Sequence, residues 1–208
     1  MRTIDWYFDF VSPYSYIALY RLRELPREFP VRYRPVLFAA LLNHFGQKGP
    51  AEIAPKRKWT YRWCTWWAQK LGVPFRFPAA HPFNPLHHLR LAVALKCEPA
   101  AVLHIFDELW TSGADPADGH RFERLCRQLG VDPERLGAQD VKDALKASTE
   151  EAASRGVFGV PSFVVDNEVF WGADAVDFLK AFLANPALLQ SEEMKRVSSL
   201  PVGAARKT

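Results

Sequence analysis

Ser12 follows eight residues rich in aromatic and β-branched side chains, Thr3 to Phe10, and precedes Pro13. Serine is a preferred helix N-cap and proline suits the first helical position, where its missing N–H costs nothing. An apolar stripe at Tyr16, Ile17, Leu19, Tyr20 and Leu22 continues the pattern, so the spacing predicts a helix opening at Ser12-Pro13. A hydroxyl there lies among backbone N–H groups with no partner inside the helix, at the positive end of its dipole. Such a place favours an anion. Taken alone, a serine of this kind is a cap worth about 1 kcal/mol.

Other candidates carry a bland alternative of the same kind. Gly159-Val160-Pro161 is an ordinary turn tripeptide, except that it leads directly into a hairpin, whose two runs read Val160 to Val165 and Glu168 to Trp171. Asp174, after Trp171-Gly172-Ala173, suits a helix start. Lys56-Arg57-Lys58 reads as a solvated helix face. Cys64, Cys97 and Cys126 are odd in number and far apart, which points to reduced thiols in a cytoplasmic protein. The six histidines show no ligand spacing with Cys, Asp or Glu, so no metal is expected.

The elements that must position these groups follow from periodicity. Residues 3 to 10, apolar on both faces, predict a buried central strand. Val31 to Leu37 alternates as a second strand, with Pro35 arguing for an edge or a bulge near its end, and the start of the chain therefore reads β-α-β. From Phe38 to Arg155 the pattern is mainly helical, broken at 46–50, 72–85, 113–119 and 130–133. A hairpin turning at Asp166-Asn167 and a helix from Asp174 close the sequence. This divides the chain into a discontinuous α/β part (1–37 and 156–185), a helical insertion (38–155) and a polar tail (186–208).

With 49% hydrophobic residues in 208 positions the chain has material for a sizeable core. The net charge of +4 is mild and spread along the sequence, and neither the basic residues nor the aromatics form a reader motif, so nucleic acid is not an expected partner. No apolar run approaches the roughly 20 residues of a spanning helix, and the start of the chain has no secretory pattern. A soluble protein with no membrane partner is expected.

The combination of Phe8-Asp9-Phe10-Val11-Ser12-Pro13-Tyr14-Ser15-Tyr16 with Phe158-Gly159-Val160-Pro161 resembles the DsbA-like family. The similarity is to its branch of 2-hydroxychromene-2-carboxylate isomerases and kappa-class glutathione transferases, over roughly residues 3 to 184. The resemblance implies an α/β, thioredoxin-like fold with a large all-helical insertion between its β-α-β and β-β-α halves. Redox relatives carry Cys-Pro-x-Cys where this chain reads Ser12-Pro13-Tyr14-Ser15, which excludes a dithiol cycle at that turn.

What the resemblance implies for the site is a glutathione cofactor. Ser12 would donate to its sulfur, and Val160, beside a cis Pro161, would pair with its peptide backbone. Trp171, Gly172, Ala173 and Asp174 would meet its γ-glutamyl end. Gln47, Lys58 or Lys56, His81 and Asn84 would face an aromatic carboxylate substrate. The implied activity is glutathione-dependent cis-trans isomerisation of a 2-hydroxychromene-2-carboxylate-like compound, in a homodimer. Two alternatives stay open: a kappa-like transferase that conjugates electrophiles, and a noncatalytic thioredoxin-like protein that binds a peptide by backbone pairing. Tryptophans 59, 63, 66 and 67 are either surface anchors of the dimer or core.

Overall fold

The computed structural model describes residues 2–204. Strand β1 (Ile4–Phe8) is buried at every position, as its two-faced apolar pattern requires. Helix α1 (Pro13–Arg21) returns the chain antiparallel to it, and β2 (Val31–Pro35) pairs parallel with β1 in the register Ile4 to Val31 through Phe8 to Pro35. The hairpin β3 (Ser162–Val165) and β4 (Glu168–Trp171) adds on the other side, with β3 antiparallel to β1. The sheet order is β2-β1-β3-β4, which leaves β2 at an edge where Pro35 removes no ladder bond. Asp166 and Asn167 both adopt positive φ, 51° and 68°, the backbone of a two-residue turn whose twist suits a hairpin. The third strand starts at Ser162 and not at Val160, since Pro161 has no N–H to give a ladder; the Val160-Pro161 peptide is cis.

Between β2 and β3 lie six helices: α2 (Phe38–His44), α3 (Ala54–Leu71), α4 (Leu86–Ala94), α5 (Pro99–Trp110), α6 (Gly119–Gln128) and α7 (Gln139–Ser154). A 3₁₀ turn at Ala173–Ala175 leads from β4 into α8 (Val176–Ala184). The segment beyond Pro186, expected from composition as a tail, is ordered further than that: a 3₁₀ turn at Pro186–Gln190 puts Leu189 against the core, and α9 (Glu192–Ser198) follows with no buried residue. Residues 205–208 of that tail lie outside the described residues. No helix among the described residues is long and apolar enough to cross a membrane.

The two faces of β1 bury into different clusters. Tyr7 points with Val36, Leu41, Val157, Val160 and Val164 into a small cluster beside α2 and α7. Ile4, Trp6 and Phe8 point the other way, into a core shared by α1, α8 and the insertion. Phe106 of α5 is the junction there, its ring centroid 5.6 Å from Phe8, 4.5 Å from Phe10 and 5.8 Å from Tyr16. The hydrophobic core thus does not stop at the sequence boundary of the insertion; it runs through it. Asp5, a carboxylate on a wholly buried strand, is satisfied by the Arg32 fork at 2.8 and 2.9 Å and by Arg155 at 2.7 Å.

Phe106→Ala empties the junction, so it should cost about 3–5 kcal/mol. Because the core is continuous, denaturation followed by fluorescence and by circular dichroism should still show one coincident transition. Two separate transitions would contradict a shared core.

Candidate active site

The turn from β1 into α1 is largely buried and held at its polar groups. Ser12 caps α1: its Oγ accepts from Ser15 N–H at 3.2 Å, and it is buried, 6% exposed. As N-cap it leaves Tyr14, the second helical residue, with no carbonyl one turn back inside the helix. The Ser12 hydroxyl also donates to the Val160 carbonyl at 3.4 Å, which joins the two motifs that lie 148 residues apart in the sequence. That bond is at the limit of useful length, so swinging the hydroxyl toward an incoming anion gives up little.

Two successive peptide planes before Ser12 are each bonded at both polar ends. In the Phe10-Val11 plane, the Phe10 carbonyl accepts from Trp110 Nε1 at 2.9 Å and Val11 N–H donates to Asp9 Oδ1 at 3.0 Å. In the Val11-Ser12 plane, the Val11 carbonyl lies 2.8 Å from His81 Nε2 and Ser12 N–H donates to the Asp9 carbonyl at 3.1 Å. Both side-chain donors, Trp110 and His81, come from the insertion. His81 is itself held by Tyr61 of α3, whose Oη is 2.7 Å from Nδ1 and 2.7 Å from the His81 carbonyl. Burial lowers the pKa of His81, a shift opposed by its bond to Val11.

Asp9 was not singled out by sequence reasoning, yet it is fully buried and its second oxygen accepts from Phe38 N–H at 2.9 Å. It therefore links the turn before α1 to the start of α2. No ion pair among the described residues involves it. Desolvation pushes its pKa up to about 7, against the lowering effect of its two backbone donors. The signal available in the sequence was a carboxylate at the end of a run buried on both faces, a position where acids are rare unless paired.

The segment after β4 completes the surroundings of the α1 mouth. Gly172 N–H donates to the Pro161 carbonyl at 2.9 Å, and Gly172 has φ of 104°, a region that favours glycine. Arg21, at the end of α1, donates to the Ala173 carbonyl at 2.9 Å and so fixes this segment to the helix that Ser12 caps. Trp171 is exposed and lies tilted against Phe158, centroids 5.0 Å apart. A Cβ at Gly159 would lie 2.6 Å from its Nε1, so only glycine admits that ring. Asp174 is exposed and close enough to Tyr14 to raise its phenol pKa, though burial is the larger cause. Cys64 of α3 also faces Tyr14, and burial pushes its thiol up to about 12, far from a reactive thiolate.

Ser12, Val160, Pro161, Trp171, Gly172, Ala173 and Asp174 are therefore gathered around one helix mouth. The insertion residues are placed differently. Gln47, Lys56 and Lys58 are exposed, and no hydrogen bond or ion pair among the described residues ties them to Ser12. Asn84 spends its Oδ1 on Leu86 N–H at 3.0 Å, at the start of α4. His81 reaches the site wall, but both of its ring nitrogens are engaged by the protein.

A protein-family model described as a DSBA-like thioredoxin domain matches residues 3–184. The chain belongs to that family. Within it, the chain is 33% identical over 192 residues to a 2-hydroxychromene-2-carboxylate isomerase of Sphingobium xenophagum, covering 88% of this chain and 98% of the relative. A glutathione S-transferase kappa 2 of Caenorhabditis elegans is 25% identical over 210 residues, covering 89% and 93%. The fold superposes on a solved 2-hydroxychromene-2-carboxylate isomerase with a TM-score of 0.78 at 26% identity, covering 92% of this chain and 98% of that one. This member of the DSBA-like family groups with isomerases, and it is an enzyme of that class.

Asp9 generates a test of the buried turn. An unfolded aspartate has its ordinary value of 3.8, while the native one stays protonated up to about 7. Between those values the native state binds the extra proton, so stability should fall as pH rises from 4 to 7 and level off above, a contribution on the order of 4 kcal/mol. Thermal melts of wild type and Asp9→Asn across that range should converge or cross, because the variant lacks the decline. Parallel curves would contradict a proton on Asp9.

Proposed function

We propose that this isomerase uses glutathione to interconvert the cis and trans forms of a 2-hydroxychromene-2-carboxylate-like aromatic carboxylate. The observation that carries the proposal is Ser12: a buried hydroxyl, not a thiol, capping α1 within reach of Val160. A site without its own sulfur, at a place built for an anion, suits a thiolate brought by a cofactor.

The residues around the helix mouth fit the tripeptide. The Ser12 hydroxyl offers a donor to the sulfur, and the α1 N-terminus adds a positive field. Exposed Asp174 offers a carboxylate to an amino group, and the Val160-Pro161 segment offers backbone beside both. Bound glutathione supplies a nucleophile that is also a good leaving group, as temporary saturation of a conjugated double bond requires. Ser12 keeps that sulfur charged, and lowering a thiol pKa by about two units corresponds to roughly 2.7 kcal/mol. Lys58 or Lys56, with Gln47, supplies polar contacts for the substrate carboxylate, and the aromatic wall of Tyr61, Phe77 and Phe83 gives its ring an apolar surface. The three free cysteines fit a cytoplasmic setting, where glutathione keeps thiols reduced. The exposed ladder Trp59, Trp63 and Trp66 on α3 is the surface we assign to a homodimer contact.

Similarity to kappa transferases favours a second chemistry at the same mouth, in which the conjugate is released. Product analysis separates the two: isomerisation returns the thiol, conjugation consumes it. Ser12→Ala should fold with a loss of about 1 kcal/mol from the missing cap. It should raise the pKa of bound glutathione, followed by thiolate absorbance, and lower turnover of 2-hydroxychromene-2-carboxylate at least tenfold. Turnover that is independent of added glutathione in the wild type would overturn the proposal.

A further inference from the structure

The Val11-Ser12 peptide plane sets the direction of two dipoles at the mouth of α1. Its carbonyl belongs to Val11 and its N–H to Ser12, so rotation of this one plane reverses both. Two contacts hold it: His81 Nε2 to the carbonyl at 2.8 Å, and Ser12 N–H to Asp9 O at 3.1 Å. Without His81 only the longer bond remains. The neighbouring Phe10-Val11 plane keeps Trp110 and Asp9 in any case.

The direction of the proton on His81 follows from its partners. A carbonyl oxygen only accepts, so Nε2 carries hydrogen toward Val11. In the neutral ring, favoured by burial, Nδ1 is then an acceptor, and it shares the single Tyr61 hydroxyl hydrogen with the His81 carbonyl, each 2.7 Å from Oη. The Val11 carbonyl thus sets the tautomer, and Tyr61, bonded to both Nδ1 and the carbonyl of the same residue, holds the ring orientation. The ring is further enclosed by Phe77, Phe83 and Trp110, with centroids 5.6, 6.1 and 5.6 Å away.

We infer that His81, oriented by Tyr61, is a positioning residue for thiol activation: it anchors the Val11 carbonyl on the insertion side and so keeps acceptor lone pairs away from the anion at the Ser12 hydroxyl. The inference rests on the glutathione proposal above and deepens it. Neither ring nitrogen is left for substrate, so His81 acts through the Val11-Ser12 plane and not by touching the reacting atoms.

The test uses the full chain with bound glutathione and reads thiolate absorbance against pH, glutathione affinity by calorimetry, and the thermal melt. His81→Leu removes the donor, whereas His81→Gln returns an amide N–H at similar reach. The expected result is a thiolate fraction at pH 7 at least threefold lower in His81→Leu, substantial recovery in His81→Gln, and glutathione affinity changed less than threefold in both. A titration in His81→Leu equal to wild type overturns the inference, and so does a Gln variant as impaired as Leu. Should the Leu variant not fold, Tyr61→Phe carries the test: a smaller shift in the same direction supports the inference, and an unchanged curve overturns it. A wild type that shows no lowered thiol pKa at all would instead sink the glutathione proposal itself.

Discussion

The interaction on which the site depends is the clamping of one short turn by its own Asp9 and by two side chains that are distant in sequence. Asp9, Trp110 and His81 between them satisfy both ends of two adjacent peptide planes. A backbone held at every polar end has little freedom to answer a ligand by moving, and the proposed anion site, made of dipoles, would draw on that rigidity. Dipoles that are already aligned stabilise charge without reorganisation. In the proposed site, the helix dipole, the Ser12 hydroxyl and the hairpin segment would act together on one anion because this turn is held at its polar groups.

The price of such a turn is a buried carboxylate. Asp9 has no cation to offset its desolvation, so the fold accepts a protonatable group at its centre in return for two backbone bonds that join β1, α1 and α2. Asp5, four residues earlier and within β1, shows the other solution: full burial with arginines from β2 and the end of α7. The two acids differ in their partners far more than in their burial.

Much of the fold was legible from periodicity and turn chemistry. The two-faced strand, the Ser12-Pro13 helix start, the edge proline and the Asp166-Asn167 turn are local signals, each with a steric or hydrogen-bonding cause. The motifs that meet at Ser12 and Val160 were legible through resemblance, not through spacing. What stayed hidden were contacts made at long range. The bonds from Trp110 to Phe10 and from His81 to Val11 bridge 100 and 70 residues. A histidine in a proline-rich loop gives no sign in the sequence that its nitrogens are already spoken for. The tail was underestimated for a similar reason, since Leu189 is a single apolar residue whose partner lies elsewhere in the fold.

The continuity of the core through Phe106 has a bearing on how this architecture diversifies. An insertion that merely hung from two linkers could be exchanged freely for another. Here the exchanged segment would have to bring along an indole at the end of α5 and an imidazole after α3, spaced to meet the carbonyls of Phe10 and Val11. The helical part and the serine turn therefore form a matched set: an insertion lacking either ring would leave the Phe10 and Val11 carbonyls without their side-chain donors.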